Sequence, residues 1–461
     1  YGYDHHVIVL NNTPWCFPEN PTKNHYGQAQ PPADYDFWYS FIKKVCQKLK
    51  KWYPEISNNF RFRLGAEFDH LWPENRTTKE LKKFYDYTMA AVHEVFPEAE
   101  GVPTDIGNQT NLNFSENRQI INLAKHAQSG LNYKTGEKGS PFDYVPVTYS
   151  YRGKENTVAK KNQYLYLRSM DPDERTFRTD WFWDAIIDGE TPALDSGKFL
   201  RVNREVQQYG VFDDIDRMSR VHHTGAYGGA LDAYTLINWL CIGVEGGWQW
   251  WPTGIEYVNG KSEQGLLASD GWVYTIWQQM IGSKMYKIPV QSISNHNTRY
   301  KAVYSINKRE QESIIMLSAY NINPIYNIKE KVDLKIPQSI LPESNKYEVD
   351  FLKLNSKNAV YDVLYKDLKE NNLLNPDFDK PHQPTSPIMV ESRYPRLAGE
   401  YMGKRGAWDY VDKHFSKYQS IIEKSLTLKE WKGSLPKKDS DWNLNLELTP
   451  PSVMVLVLKW E

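Results

Sequence analysis

Asn59-Phe60-Arg61-Phe62-Arg63-Leu64-Gly65-Ala66-Glu67 is the stretch on which the fold turns. Apolar and charged side chains alternate from Phe60 to Leu64, the period of a β-strand. The run stops at Gly65 and delivers a carboxylate, Glu67, followed by Asp69 and His70. Helical patterns stand on both sides. Phe37, Phe41, Ile42, Val45 and Leu49 repeat at helical spacing within 33–53, and Leu81, Phe84, Tyr85, Met89, Val92 and Val95 do so within 78–96. Further upstream, His6 to Leu10 (HVIVL) is a short apolar run closed by Asn-Asn-Thr-Pro, which reads as a buried strand. Alternation of strand and helix predicts α/β architecture with parallel strands.

Pro141–Ser150, Lys198–Val202 and Ala233–Val244 continue the alternation, the last reading as the final strand of the series. About six strand–helix units fit before residue 285, whereas a closed (β/α)8 TIM barrel needs eight. Either two units lie upstream of Tyr1 or the fold is not a barrel. The chain also begins without Met, so its natural start was processed, trimmed or lost. Beyond residue 285 the long crossovers cease. Tyr300–Ile306, Ser313–Tyr320, Lys331–Ile336 and Ser452–Leu458 are strand-like runs separated by turn signals, the pattern of an antiparallel β-sandwich. The expected organisation is therefore an N-terminally incomplete barrel over 1–285 and a sandwich over 286–461. Residues 371–391, rich in Asn, Pro and Asp, read as a long loop, and 396–426 as partly helical.

Composition narrows the function. Lys plus Arg (56) nearly cancel Asp plus Glu (57), which excludes a polyelectrolyte partner such as nucleic acid. No apolar run approaches the roughly 18 residues of a membrane span. Cys16, Cys46 and Cys241 are too few and too scattered for a disulfide framework. His222-His223 lacks further ligands at metal spacing, and no glycine-rich phosphate loop or nucleophilic serine motif is present, so no metal or cofactor is expected. The excess is aromatic: Trp, Tyr and Phe make up 14% of the chain. Flat rings suit the C–H faces of sugars, although they serve equally in a core.

Retaining cleavage of a glycosidic bond needs two carboxylates about 5–5.5 Å apart. In a barrel they belong at the C-terminal ends of different strands. Two residues end apolar runs in this way. Glu67 closes the stretch quoted above, and Glu205 closes Phe199-Leu200-Arg201-Val202-Asn203-Arg204-Glu205 before a glutamine-rich turn, Val206 to Gly210. Taken singly, each carboxylate could equally be a surface salt-bridge partner.

Ala66-Glu67-Phe68-Asp69-His70 resembles the Asn-Glu-Pro-Asp-His motif of glycoside hydrolase family 39, particularly its α-L-iduronidase branch. The resemblance continues in order. Lys125-His126-Ala127, Gly130 to Glu137 and Phe142 to Val145 are similar to that branch's stretch leading along the sixth barrel strand. Val202 to Glu205 falls at its nucleophile, and Leu266-Leu267-Ala268-Ser269-Asp270 at an aspartate that binds sugar hydroxyls. Leu448 to Val453 is similar to the closing strand of the family's sandwich.

The resemblance implies a retaining glycosidase with Glu67 as acid/base and Glu205 as nucleophile. Asp69, His70, Tyr149, Trp248, Trp250 and Asp270 would bind substrate, with Tyr151 and Trp251 beside them. Trp181 and Trp183 read as packing residues. The substrate would be a complex polysaccharide, acidic and sulfated ones included, or its oligosaccharides. A β-xylosidase-like exo-hydrolase is the alternative within the family, and a non-catalytic carbohydrate-binding descendant the alternative outside it. The family also implies a secreted, periplasmic or lysosome-like compartment. One position departs from the pattern. The family's Asn before the acid/base, which donates to the sugar 2-hydroxyl, is replaced by Ala66, which has no side-chain donor. That implies either an altered sugar at the cleavage site or weakened catalysis.

Overall fold

Strand β1 (His6–Leu10) pairs in parallel with β2 (Phe60–Leu64), from His6 opposite Phe60 to Leu10 opposite Leu64. The computed structural model describes residues 6–10, 13–21, 30–65, 76–102, 114–151, 171–173, 203–211, 225–249, 255–256, 266–292, 298–321, 326–373, 407–437 and 440–461. Between β1 and β2 runs helix α1 (Tyr35–Trp52). After β2 come α2 (Thr78–Val95), β3 (Glu100–Val102), α3 (Phe114–Ser129), β4 (Tyr144–Tyr151) and β5 (Asn203–Val211). Helix α4 (Ala226–Cys241), β6 (Val244–Gln249), β7 (Ile255–Glu256), β8 (Leu266–Leu267) and α5 (Ser269–Met280) follow. The chain then builds β9 (Lys284–Ile288), β10 (Val290–Ser292), β11 (Thr298–Asn307), β12 (Glu312–Asn321), β13 (Glu330–Ile336) and β14 (Tyr347–Asn355). It closes with α6 (Val360–Glu370), α7 (Ala407–Lys413), α8 (Phe415–Leu426), β15 (Lys429–Glu430), β16 (Trp442–Leu448) and β17 (Ser452–Trp460).

These elements fall into two compact units, one formed by Tyr1–Tyr149, Phe177–Tyr209 and Gly243–Trp248, the other by Ser150–Thr176, Gly210–Ile242 and Gln249–Glu461. The first is mixed α/β. It holds the parallel sheet β1-β2-β3 and a sheet in the order β4-β5-β6. Its helices begin where their caps dictate. The Asp34 carboxylate accepts from the backbone N–H groups of Asp36 and Phe37, both at 2.9 Å, to start α1. Thr77 and Glu80 form a reciprocal capping box at α2. Trp38, Ile42 and Cys46 of α1 meet Phe84, Tyr85 and Val92 of α2 over Phe60, Phe62 and Leu64 of β2 in one buried core. Burial pushes the Cys46 thiol up to about 12.

The second unit is β-rich. A six-stranded antiparallel sheet, ordered β15-β14-β17-β12-β11-β9, shares a core with a three-stranded sheet ordered β10-β13-β16. Tyr304, Leu317 and Leu456 from one sheet meet Val332, Leu334 and Leu446 from the other. Strands β12 and β17 are buried on both faces, so they read as continuous apolar runs rather than alternating ones. The second face of β12 carries Ser318, whose hydroxyl donates to the Ala230 carbonyl of α4 at 2.6 Å, and Tyr320, whose hydroxyl bonds that of Tyr227 at 2.6 Å.

Two sequence expectations are corrected. Ala233–Val244 is not a strand, because α4 runs from Ala226 to Cys241 and the strand is Val244–Gln249. A long run that is apolar all round is the pattern of a buried helix, and α4 is buried on every side. Val206–Gly210 is not a turn but the body of β5, so Glu205 is the third residue of a strand rather than the end of one. Helix α6 and strands β14 and β16 were not anticipated, while residues 396–406 and most of the expected loop at 371–391 lie outside the described residues. Among the described residues no helix is long and apolar enough to cross a membrane.

Helix α4 is capped from another element. Its N-cap, Gly225, has no side-chain acceptor, and the half-buried Asp362 in the first turn of α6 accepts from Ala226 N–H at 2.9 Å. Burial pushes the Asp362 carboxyl up from 3.8 to about 6, against the opposing pull of that hydrogen bond. The native state therefore holds a proton that the unfolded chain releases, so this site's contribution to stability falls as pH rises from 3.8 to about 6. Asp362→Asn keeps an acceptor for Ala226 but removes the titration. The Tm-against-pH curve of that variant should be flatter than that of the wild type across this window.

Candidate active site

Strand β2 sets the geometry of the candidate site. Phe60, Phe62 and Leu64 enter the helix-side core, and the intervening Arg61 and Arg63 are buried on the opposite face. Arg61 lies in register with Glu100 of β3, and its Nε donates to the Glu100 carboxylate. Its Nη2 donates to the hydroxyl of Tyr144, the first residue of β4, and its guanidinium lies 4.1 Å from that ring's centroid. A polar layer thus crosses the sheet where an alternating sequence requires one face to be charged.

The strand ends on Gly65, which adopts φ +71°, and Gly65 N–H donates to the Leu10 carbonyl at 3.2 Å. A left-handed glycine there lets the chain leave the ladder at once. Ala66, Glu67, Asp69, His70, Trp250 and Trp251 lie outside the described residues, as do Trp181, Trp183, His222 and His223. Along β4 after Tyr144, along β5 and at Trp248, only the backbone is described. That backbone places Tyr149 on β4, Glu205 on β5 and Trp248 on β6, three neighbouring strands of one sheet with Glu205 on the central one. Asp270 belongs to the other compact unit. It is buried in the first turn of α5, and its Oδ1 accepts from Gly271 N–H at 2.7 Å, a favourable place for a carboxylate against the helix dipole.

The connection into β4 is fastened by groups that sequence reasoning did not single out. Asp86 of α2 is fully buried. Its carboxylate accepts from His126 Nε2 at 2.8 Å, from Tyr133 N–H at 2.8 Å and from the Ser140 hydroxyl. Asn132 ties the same segment together, accepting from Lys134 and Thr135 N–H groups at 2.8 and 2.9 Å and donating to Ser140 Oγ at 2.8 Å. Asp143 then exchanges two hydrogen bonds with Gly101 of β3, at 2.6 and 2.8 Å. Burial raises the Asp143 carboxyl above its ordinary range, opposed by the bond from Gly101. A side chain at position 101 would meet the Pro141 carbonyl oxygen at 2.8 Å, so glycine permits the contact. Much of the run 125–145, singled out above by family resemblance, is thus a scaffold for β4. Its only sequence signal was that resemblance, because Asp86 sits 40 residues from His126.

The first unit thus holds a parallel sheet with helices between its strands, and the second is an antiparallel β-rich unit. Over 98% of its length the chain superposes on a GH39 enzyme from Xanthomonas axonopodis pv. citri, covering 79% of that chain with a TM-score of 0.54 and 12% identity. Over 93% of its length it superposes on a bacterial orthologue of human α-L-iduronidase, with a TM-score of 0.58 and 12% identity, and covers 66% of that structure. In sequence, 109 residues are 31% identical to an α-1,4-L-rhamnosidase of Formosa agariphila, a match spanning 22% of each protein. No family model matches the chain. The fold is GH39-like.

Asp86→Ala tests the scaffold. It strands a buried imidazole, a hydroxyl and a backbone N–H, and loss of one partner from such a buried network costs about 3–5 kcal/mol. Urea unfolding should show that loss as a lower midpoint at an unchanged m-value.

Proposed function

We propose that the chain is a retaining glycoside hydrolase in which Glu67 protonates the leaving oxygen and Glu205 attacks the anomeric carbon. The observation that carries this reading is the GH39-like fold, followed over 98% of the chain, with Glu67 three residues beyond the end of β2. Glu205 lies on the central strand of the second sheet of the same unit. On this reading the two sheets of the first unit are arcs of one (β/α)8 barrel, whose active groups gather at the C-terminal ends of its strands. Residues 1–285 supply that barrel and 286–461 the accessory sandwich.

The chemistry follows from the two carboxylates. Glu67, protonated, donates to the glycosidic oxygen while Glu205 forms a glycosyl ester. Water then attacks the ester, with Glu67 acting as base. Asp69, His70, Tyr149 and Trp248 hold the sugar. The substrate is a complex polysaccharide or its oligosaccharides, acidic or sulfated units included.

Ala66 supports a second reading, a carbohydrate-binding descendant without turnover. An alanine leaves an apolar gap where an amide would meet the sugar 2-hydroxyl. We favour the enzyme, because a pure binder has no need of two opposed carboxylates. On that view the gap accommodates a 2-substituted or anhydro sugar.

A panel of plain and sulfated glycans, with α-L-rhamnosides, α-L-iduronides and β-xylosides among them, separates the readings. Glu67→Gln and Glu205→Gln should each lower kcat by about a thousandfold or more, and proton NMR of the first-formed product should show retained anomeric configuration. Ala66→Asn should lower activity on the natural substrate through a clash. A wild type inert across the panel, with Ala66→Asn gaining hydrolysis of an ordinary glycoside, would establish the degenerate enzyme instead.

A further inference from the structure

Among the described residues Arg63 is a buried cation without an ionic counterpart. It is the penultimate residue of β2, only 6% exposed, on the face it shares with Arg61. The two arginines differ in what stands beside them. Arg61 lies opposite Glu100, pairs with it and is covered by Tyr144. Arg63 lies between Val9 of β1 and Val102 of β3, residues whose side chains accept no hydrogen bond. Among the described residues no carboxylate pairs with Arg63, and its Nε has no hydrogen-bond partner.

That arrangement is costly. A guanidinium does not shed its proton to escape burial, and a buried charge left unpaired is strongly destabilising. Native folds keep few such groups, and those they keep tend to sit where function uses them. The position suits a function. Arg63 precedes the left-handed Gly65 by two residues and Glu67 by four, at the end of the strand where barrels handle their substrates. Its planar fork of donors matches the oxygens of a carboxylate or a sulfate, which would satisfy the orphaned Nε and neutralise the charge together.

We propose that Arg63 is a specificity-determining residue that receives an anionic substituent, a carboxylate or a sulfate ester, of the sugar bound at this site. The location of the site rests on the glycosidase reading, whereas binding of the anion does not depend on hydrolysis.

Thermal unfolding of the full chain in sodium sulfate, sodium glucuronate and sodium chloride at matched ionic strength tests it. Sulfate or glucuronate should raise Tm saturably over chloride, and the arm that responds identifies the substituent. Arg63→Met should abolish that response and raise Tm in chloride, since the unpaired charge is gone. Arg63→Lys should retain a weakened response, and Arg63→Gln takes the place of Arg63→Met should the latter not fold. On an anionic substrate Arg63→Met should raise KM on the order of ten- to hundredfold, a larger rise than on a neutral analogue. Glu67→Gln should keep the anion response while losing turnover, so an anion response without any hydrolysis by the wild type would sink the glycosidase reading and leave Arg63 standing. A saturable response that survives Arg63→Met, or a wild type that responds to neither anion, overturns the proposal.

Discussion

Strand β2 is buried on both faces, and the two faces are chemically opposite. Phe60, Phe62 and Leu64 fill the space beneath α1 and α2, while Arg61 and Arg63 face away from the helices with almost no access to water. A strand in that position admits no shift of register, because a slip of one residue would drive two guanidinium groups into an aromatic core. Pairing with β1 and β3 is thereby set residue by residue, and so is the point at which the chain leaves the sheet toward Glu67. Arg61 meets its desolvation cost through Glu100 and Tyr144. Arg63, two residues further along, lies opposite Val102 and has no such partner among the described residues.

Buried carboxylates fasten the rest. Asp86 gathers three donors from two segments, Asp143 clasps Gly101, and Asp362 caps a helix other than its own. Each stands at a connection, where backbone N–H groups lack partners in a ladder or helix. A low local dielectric strengthens such bonds and makes them costly to break. The irregular run from Gly130 to Asp143 is held for this reason, and it delivers β4 to the sheet that carries Glu205. In the β-rich unit the same economy appears between layers. Leu317 and Leu456 point into the sandwich, whereas Ser318 and Tyr320 of the same sheet meet α4. Two covered faces explain why β12 and β17 carry little polar alternation.

Periodicity by itself determined the strongly patterned elements of this protein. Helices α1 and α2, strands β1 and β2 and the four principal strands of the sandwich were legible because their spacing, caps and flanking turns agree with one another. The two candidate carboxylates were found by asking which acidic residues close apolar runs, and family resemblance gave them their roles.

Tertiary structure alone decided the remainder. Helix α4 passed for a strand because a segment surrounded by apolar neighbours loses the polar stripe that gives a helix its signature. The glutamines after Glu205 suggested a turn, yet sheet pairing on both sides of β5 carries that backbone onward to Val211. Partnerships across long separations left no local trace. Asp86 with His126, Asp362 with Ala226 and Arg61 with Glu100 and Tyr144 exist only once the chain has folded. Nor could sequence distinguish Arg61 from Arg63, identical residues two apart on one strand. The residue opposite each on β3 is glutamate in one case and valine in the other, and only the glutamate can pair with a buried charge.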